Sequence, residues 1–153
     1  MSCVQKIMQP VELKISANKC YYFIKNNVYH FPNVTSIIQD VAVDEGDWDN
    51  CSHDSMKVWN YTIDGKAEVL KEQSKFDDEK LKAIFTVIEG DVVKKYKSFK
   101  ITHHLVPKST PQQCVVYITI EYEKYDSTTP DPYNYLQLIG KAYKDVEAHL
   151  IHD

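Results

Sequence analysis

Apolar and polar residues alternate at the start of the chain. Ile7, Val11, Leu13 and Ile15 stand an even number of positions apart among polar neighbours, the period of a strand with one buried face. Pro10 lies inside that run and cannot donate to a ladder, which predicts an edge strand or a bulge. Ser16 follows as a helix N-cap, and Ala17–Ile24 reads as a helix of about two turns. A second short helix or turn falls near Phe31–Val34. Strand-like runs then follow in series at Ile37–Val43, Met56–Ile63, Ala67–Gln73, Leu81–Ile88, Tyr96–Val106 and Cys114–Tyr125. The short connections between them predict an antiparallel meander. Asp64-Gly65 and Glu89-Gly90-Asp91 read as hairpin turns, because glycine takes the positive φ such turns need. After Pro130 and Pro132 the period becomes helical, with Leu136, Ile139, Tyr143, Val146 and Leu150 on one stripe and Tyr135, Leu138 and Ala142 beside it. That helix runs from about Pro132 to Ile151, roughly 30 Å at 1.5 Å per residue. A long helix against a curved antiparallel sheet is an α+β layout.

Composition narrows the function classes. A chain of 153 residues suits one domain, 1–153, with one core. Hydrophobic residues at 43% and charged residues at 26% exclude a disordered or collagen-like chain. The formal charge of −4 leaves no cationic excess for a phosphate backbone, so nucleic acid is not an expected partner. No apolar run is long enough for a signal peptide or a membrane span, so a cytoplasmic location without membrane insertion is expected. Cys3, Cys20, Cys51 and Cys114 show no metal-binding or redox spacing and read as free thiols in a reducing compartment. His149 and His152 have helical i, i+3 spacing but no third ligand, and no metal site is expected. Lys71-Glu72, the Lys94-Lys95-Lys97 cluster and the Glu121, Glu123, Asp126 run read as solvated surface.

Six short runs carry a resemblance: Glu45-Gly46-Asp47-Trp48, Val58-Trp59-Asn60-Tyr61, Asp64-Gly65-Lys66, Val87-Ile88-Glu89-Gly90-Asp91, Tyr96-Lys97-Ser98-Phe99 and Glu121-Tyr122-Glu123-Lys124. In this order and spacing the chain resembles the plant major latex proteins, a branch of the birch pollen allergen (Bet v) superfamily. The resemblance implies a helix-grip, START-like fold. Its seven-stranded curved antiparallel sheet wraps a long C-terminal helix, two short helices follow the first strand, and a hydrophobic cavity lies inside. One departure concerns the loop from Gly46 to Ser55, which lacks the later glycines of that family. A phosphate-cradling role is therefore not expected of it; it reads as a lid, an altered cavity mouth or simple loop drift.

Placing the strands by this resemblance puts Gln9, Val11, Trp59, Tyr61, Ala83, Phe85, Val87, Phe99, Ile101, Ile118 and Ile120 on the inner face. Tyr135, Leu138, Ile139 and Ala142 approach from the helix. Together these are the expected ligand-binding residues, although apolar strand faces also describe a filled core. His103 points inward and His104 outward. His103 is either a proton-transfer group, with Tyr122 as a second candidate catalytic residue, or a core histidine satisfied by a tyrosine such as Tyr122. The superfamily's norcoclaurine synthase uses a cavity lysine and glutamate, and those positions fall here on Ala83 and Lys71, so that chemistry is not expected.

Two functions follow from the resemblance. The first is an intracellular binder of a small hydrophobic metabolite in plant defence or specialised metabolism, needing no cofactor. The second is a cofactor-free enzyme guiding cyclisation or isomerisation of a reactive terpenoid or alkaloid intermediate. A hormone-receptor role trails, because no glycine-, proline- and leucine-rich gate or latch segment stands out.

Overall fold

The structure, a computed structural model, describes residues 3–44, 46–48 and 52–152. Among the described residues, seven strands form one antiparallel sheet: β1 (Gln5–Leu13), β2 (Ile38–Val43), β3 (Met56–Ile63), β4 (Lys66–Asp77), β5 (Lys82–Gly90), β6 (Tyr96–Pro107) and β7 (Cys114–Lys124). Their spatial order is β1-β7-β6-β5-β4-β3-β2. The helices are α1 (Ala17–Asn26), α2 (Phe31–Val34), α3 (Asp91–Lys95) and α4 (Tyr133–Leu150), with a 3-10 turn at Val28–His30. This is the expected α+β meander around a C-terminal helix.

Local chemistry explains several features of these elements. Pro10 sits on the edge strand β1, opposite Tyr117, where a missing donor costs little. The Ser16 hydroxyl accepts the Lys19 N–H at 3.1 Å and starts α1, which runs on to Asn26. Asp64 and Gly65 both have positive φ, 51° and 78°, and Ile63 pairs directly with Lys66. Two positive φ values make the two-residue turn whose twist matches a hairpin.

Glu89-Gly90-Asp91 is not a hairpin turn. Gly90 has φ 115° and leads into α3, which carries the chain to β6. The reason is crowding against β4: a Cβ on Gly90 would lie 2.1 Å from the Val69 carbonyl oxygen. The Asp91 carboxylate accepts the Val69 N–H at 2.8 Å, giving that amide a partner beside the crossing.

The C-terminal helix is not centred over the sheet. α4 packs on β1 and β7, with Leu136 and Val146 fully buried against a floor that includes Val116, Ile118 and Ile120. Gly140 permits the approach, since a Cβ there would meet the Gln9 amide nitrogen at 3.0 Å and the Val11 side chain at 3.6 Å. The inner face of β3 to β6 is left without flush helix packing. Glu45, Asp49, Asn50 and Cys51, on which parts of the motif and loop readings fall, lie outside the described residues.

Gly90→Ala should lower unfolding stability by roughly 2–4 kcal/mol, combining left-handed strain with a clash against backbone that cannot rotate away. Chemical denaturation with an unchanged midpoint would show that β4 and β5 do not cross so tightly.

Candidate functional site

Between α4 and the inner face of β3 to β6 lies a cavity of about 130 Å³, closed at one end by α1, the 3-10 turn and α2. Of the expected ligand-binding residues, Trp59, Tyr61, Phe85, Phe99, Ile101, Tyr135, Leu138, Ile139 and Ala142 line it, and so does His103. Six others do not. Gln9 and Val11 lie under α4 at Gly140, and Ile118 and Ile120 are fully buried in the floor beneath that helix. Ala83 and Val87 are buried among larger neighbours in register, Ala83 between Phe76 and His103 and Val87 beside Glu72. Ile24, Val28, Phe31, Ile38, Leu70, Phe76 and Tyr143 complete the apolar wall.

The polar part of the wall comes from positions read as solvated or left unassigned. Lys57, Glu72 and Ser74 line the cavity, and Glu72 is only 4% exposed. Register accounts for it: Trp59 pairs with Leu70, Lys57 with Glu72 and Tyr61 with Glu68, so these share the inner face while Lys71 faces out and pairs with Asp44 at 3.0 Å. Trp59 Nε1 donates to Glu72 Oε1 at 2.7 Å, and the Ser74 hydroxyl donates to the same oxygen at 3.3 Å. Lys57 Nζ donates to the His53 and Ser55 carbonyls, at 2.9 and 3.1 Å, and reaches the Ser74 hydroxyl at 3.4 Å. Burial raises the Glu72 carboxyl to about 7 against the opposing pull of the Trp59 hydrogen bond, the Lys57 charge and Ser74.

A second carboxylate, Glu68, joins the sheet to the helix. Its Oε1 accepts from Tyr61 at 2.9 Å and Tyr135 at 2.7 Å, and its Oε2 accepts from Lys95 at 2.7 Å. Lys95 is thus not merely a solvated cation. Burial works to raise the Glu68 carboxyl, but hydrogen bonds from Lys95, Tyr135 and Tyr61 outweigh it and hold the group below its ordinary value. Here three donors meet one carboxylate; at Glu72 two donors leave desolvation dominant.

His103 faces the cavity, but Tyr122 is not its partner. The register pairs Tyr122 with Phe99 and His103 with Ile118, four residues further along β7, about 13 Å at strand spacing. The Tyr122 hydroxyl instead donates to Asp131 at 2.5 Å, beside the Lys124 ion pair of the same carboxylate. His103 Nδ1 lies 2.5 Å from the hydroxyl of Tyr143, on α4. That hydroxyl makes no other hydrogen bond among the described residues, and which of the two groups donates is set by the imidazole tautomer. Burial lowers His103 to about 3, so the ring is neutral across the physiological range. Phe85 packs edge-on against it, with centroids 4.7 Å apart.

A larger space of about 320 Å³ adjoins this cavity, sharing Val28 and Lys57 with it. Lys25, Asn26 and Tyr29 line it from one side, and Trp48, Ser52 and His53 from the loop after β2. The described part of that loop therefore lines this adjoining space. His149, read as half of an i, i+3 pair, packs its ring on Phe23 instead. Among the described residues no helix is long and apolar enough to cross a membrane.

Comparison with known proteins matches residues 2–153 to the Pathogenesis-related protein Bet v 1 family. The chain is 37% identical over 142 residues to MLP-like protein 329 of Arabidopsis thaliana, covering 92% of each chain. It is 30% identical over 149 residues to Major latex protein 146 of Papaver somniferum, covering 96% of this chain and 91% of that one. The crystal structure of ginseng major latex-like protein 151 from Panax ginseng superposes with a TM-score of 0.85 at 28% identity, covering 95% of this chain and 97% of that one. Norcoclaurine synthase from Thalictrum flavum shares the fold at a TM-score of 0.76 and 17% identity, covering 99% of this chain and 90% of that one.

The two cavity titrations pull stability in opposite directions. Between about pH 4.5 and 6.5 folded Glu72 holds a proton that the unfolded chain has lost, so its contribution falls as pH rises. Over the same span folded His103 lacks a proton that the unfolded chain holds, so its contribution rises with pH. One proton each way gives about 1.4 kcal/mol per pH unit, and the two cancel. Relative to the parent, Glu72→Gln should make the stability–pH slope in that window more positive by about this amount, and His103→Phe more negative. Denaturant melts across the window that show parallel slopes for all three proteins would refute the assignments.

Proposed function

Because the chain belongs to the Pathogenesis-related protein Bet v 1 family, we propose that it holds a small hydrophobic plant metabolite of defence or specialised metabolism in the cavity under α4. The observation that carries this reading is the cavity wall itself, aromatic and aliphatic apart from Lys57, Glu72, Ser74, His103 and the tyrosine hydroxyls. Such a wall gains free energy by transferring apolar surface from water, while a few fixed polar groups set orientation. The volume of about 130 Å³ is close to that of an engineered protein cavity known to hold benzene, so the space suits about one ring. A cytoplasmic setting fits the buried free thiols of Cys20 and Cys114.

The enzymatic reading, cyclisation or isomerisation of a reactive terpenoid or alkaloid intermediate with His103 moving a proton, finds less support. Burial keeps that imidazole neutral down to about pH 3, and a catalytic acid or base works best with a pKa near the operating pH. A neutral His103 suits hydrogen bonding better than proton shuttling. Tyr122, spent on Asp131, does not face the cavity site.

Toluene titrated into ¹⁵N-labelled protein should bind saturably with Kd of about 0.1–1 mM, roughly −4 to −5.5 kcal/mol, and shift amides around the cavity. Ala142→Phe should fill that space and weaken toluene binding by about tenfold or more while the protein still melts cooperatively. Absence of saturable binding by the parent protein would mean a closed core and overturn the proposal.

A further inference from the structure

The hydrogen bonds around Glu72 are lopsided. Both donors that reach the carboxyl, Trp59 Nε1 and the Ser74 hydroxyl, go to Oε1. Among the described residues every sealed side-chain nitrogen and oxygen has a hydrogen-bond partner. Oε2 of Glu72 has none, so it is not sealed in protein: it opens on the cavity that the residue lines. An open carboxyl oxygen in an apolar wall is costly unless something polar meets it. Among the described residues no other hydrogen bond reaches it, and Lys57 Nζ donates to two carbonyls and reaches Ser74.

Resting on the reading of the cavity as a ligand site, we infer that Glu72 is its recognition point and that the ligand is a small apolar molecule carrying a hydroxyl, which hydrogen-bonds to Oε2. The hydroxyl follows from the chemistry of the carboxyl. A group that titrates near neutrality presents an acceptor in one state and an O–H donor in the other. A hydroxyl answers both states, whereas a ketone answers only the acid form. A cationic amine would add a second positive charge beside Lys57 in an apolar wall. Among the described residues Nε2 of His103 also has no hydrogen-bond partner, and it belongs to a different part of the wall. His103 lies opposite Ala83, and Ala83 opposite Phe76, four residues or about 13 Å along β4 from Glu72. One ring cannot reach both, and the acceptor selects the donor-bearing ligand.

The test compares p-cresol with p-xylene, equal in size and differing by hydroxyl against methyl. Without a polar partner the hydroxyl loses hydration and p-xylene binds better by about tenfold or more. The parent protein should instead bind p-cresol at least as tightly as p-xylene, and Glu72→Leu should restore the p-xylene preference. Should Glu72→Leu fail to fold, the ¹³C resonance of the Glu72 carboxyl, assigned with Glu72→Gln, should move on adding p-cresol and stay with p-xylene. Both rings binding with the p-xylene preference already present in the parent, or a p-cresol preference lost in His103→Phe and kept in Glu72→Leu, would overturn the inference while leaving ligand binding intact. Neither ring binding would overturn the ligand-site reading itself, and this inference with it.

Discussion

The helix α4 is tied to the sheet in two different ways along its two flanks, and the cavity is the consequence. On the β1 and β7 flank the contact is flush: Gly140 lets the helix backbone come down on Gln9 and Val11, and Leu136 and Val146 are sealed. On the other flank long side chains span the gap end to end, Tyr135 to Glu68 and Tyr143 to His103, while Asp145 accepts from Thr35 at 2.7 Å. Apolar side chains across that gap would draw helix and sheet together until the space closed, because dispersion rewards contact and has no preferred length beyond it. A hydrogen bond fixes its donor–acceptor distance within a few tenths of an ångström. The polar pairs therefore act as struts, and the apolar residues between them line a space that they cannot fill.

Those struts also decide which ionisable groups are quiet and which are poised. Glu68 is surrounded by three donors and keeps its charge, so it contributes to stability in the range where proteins work. Glu72, on the same strand and the same face, has two donors on one oxygen and is pushed toward neutrality. His103 is pushed the opposite way by the same burial. Burial thus disfavours the charged form of acid and base alike, and a charged occupant would meet the same penalty.

Much of the fold was legible because strands and helices announce themselves by period, and because Asp64-Gly65 meets a turn requirement that few other pairs satisfy. Glu89-Gly90-Asp91 carries a similar local signal and gives a different structure. What decides there is the Val69 carbonyl pressing on Gly90, a contact between strands that composition does not encode locally. The cavity lining was legible where it is apolar, on β3, β6 and α4. It was hidden on β4, where Glu68, Leu70, Glu72, Ser74 and Phe76 take the inner face while Val69 is exposed. An alternation read by hydrophobicity cannot find a face on which three of five residues are polar. Counting even positions from Leu70 would have placed Glu72 inward. The partner of His103 was out of reach for another reason: the hydroxyl that meets it comes from α4, forty residues away, and its position depends on how the helix sits.

The same geometry separates fold from chemistry within one architecture. The two positions expected to correspond to a lysine and a glutamate in norcoclaurine synthase hold Ala83, sealed between its neighbours, and Lys71, turned outward to Asp44. Neither offers a reacting group to the cavity. One residue further on, Glu72 does face in, on the same side of β4 as Glu68, Leu70 and Ser74. A strand presents alternate residues to opposite faces, so neighbouring positions hold a solvent-facing cation and a buried acid. Shared topology therefore fixes where a cavity lies, while the residues on the inner face of a single strand decide which polar group it offers and hence which functional group a ligand must carry to be held there.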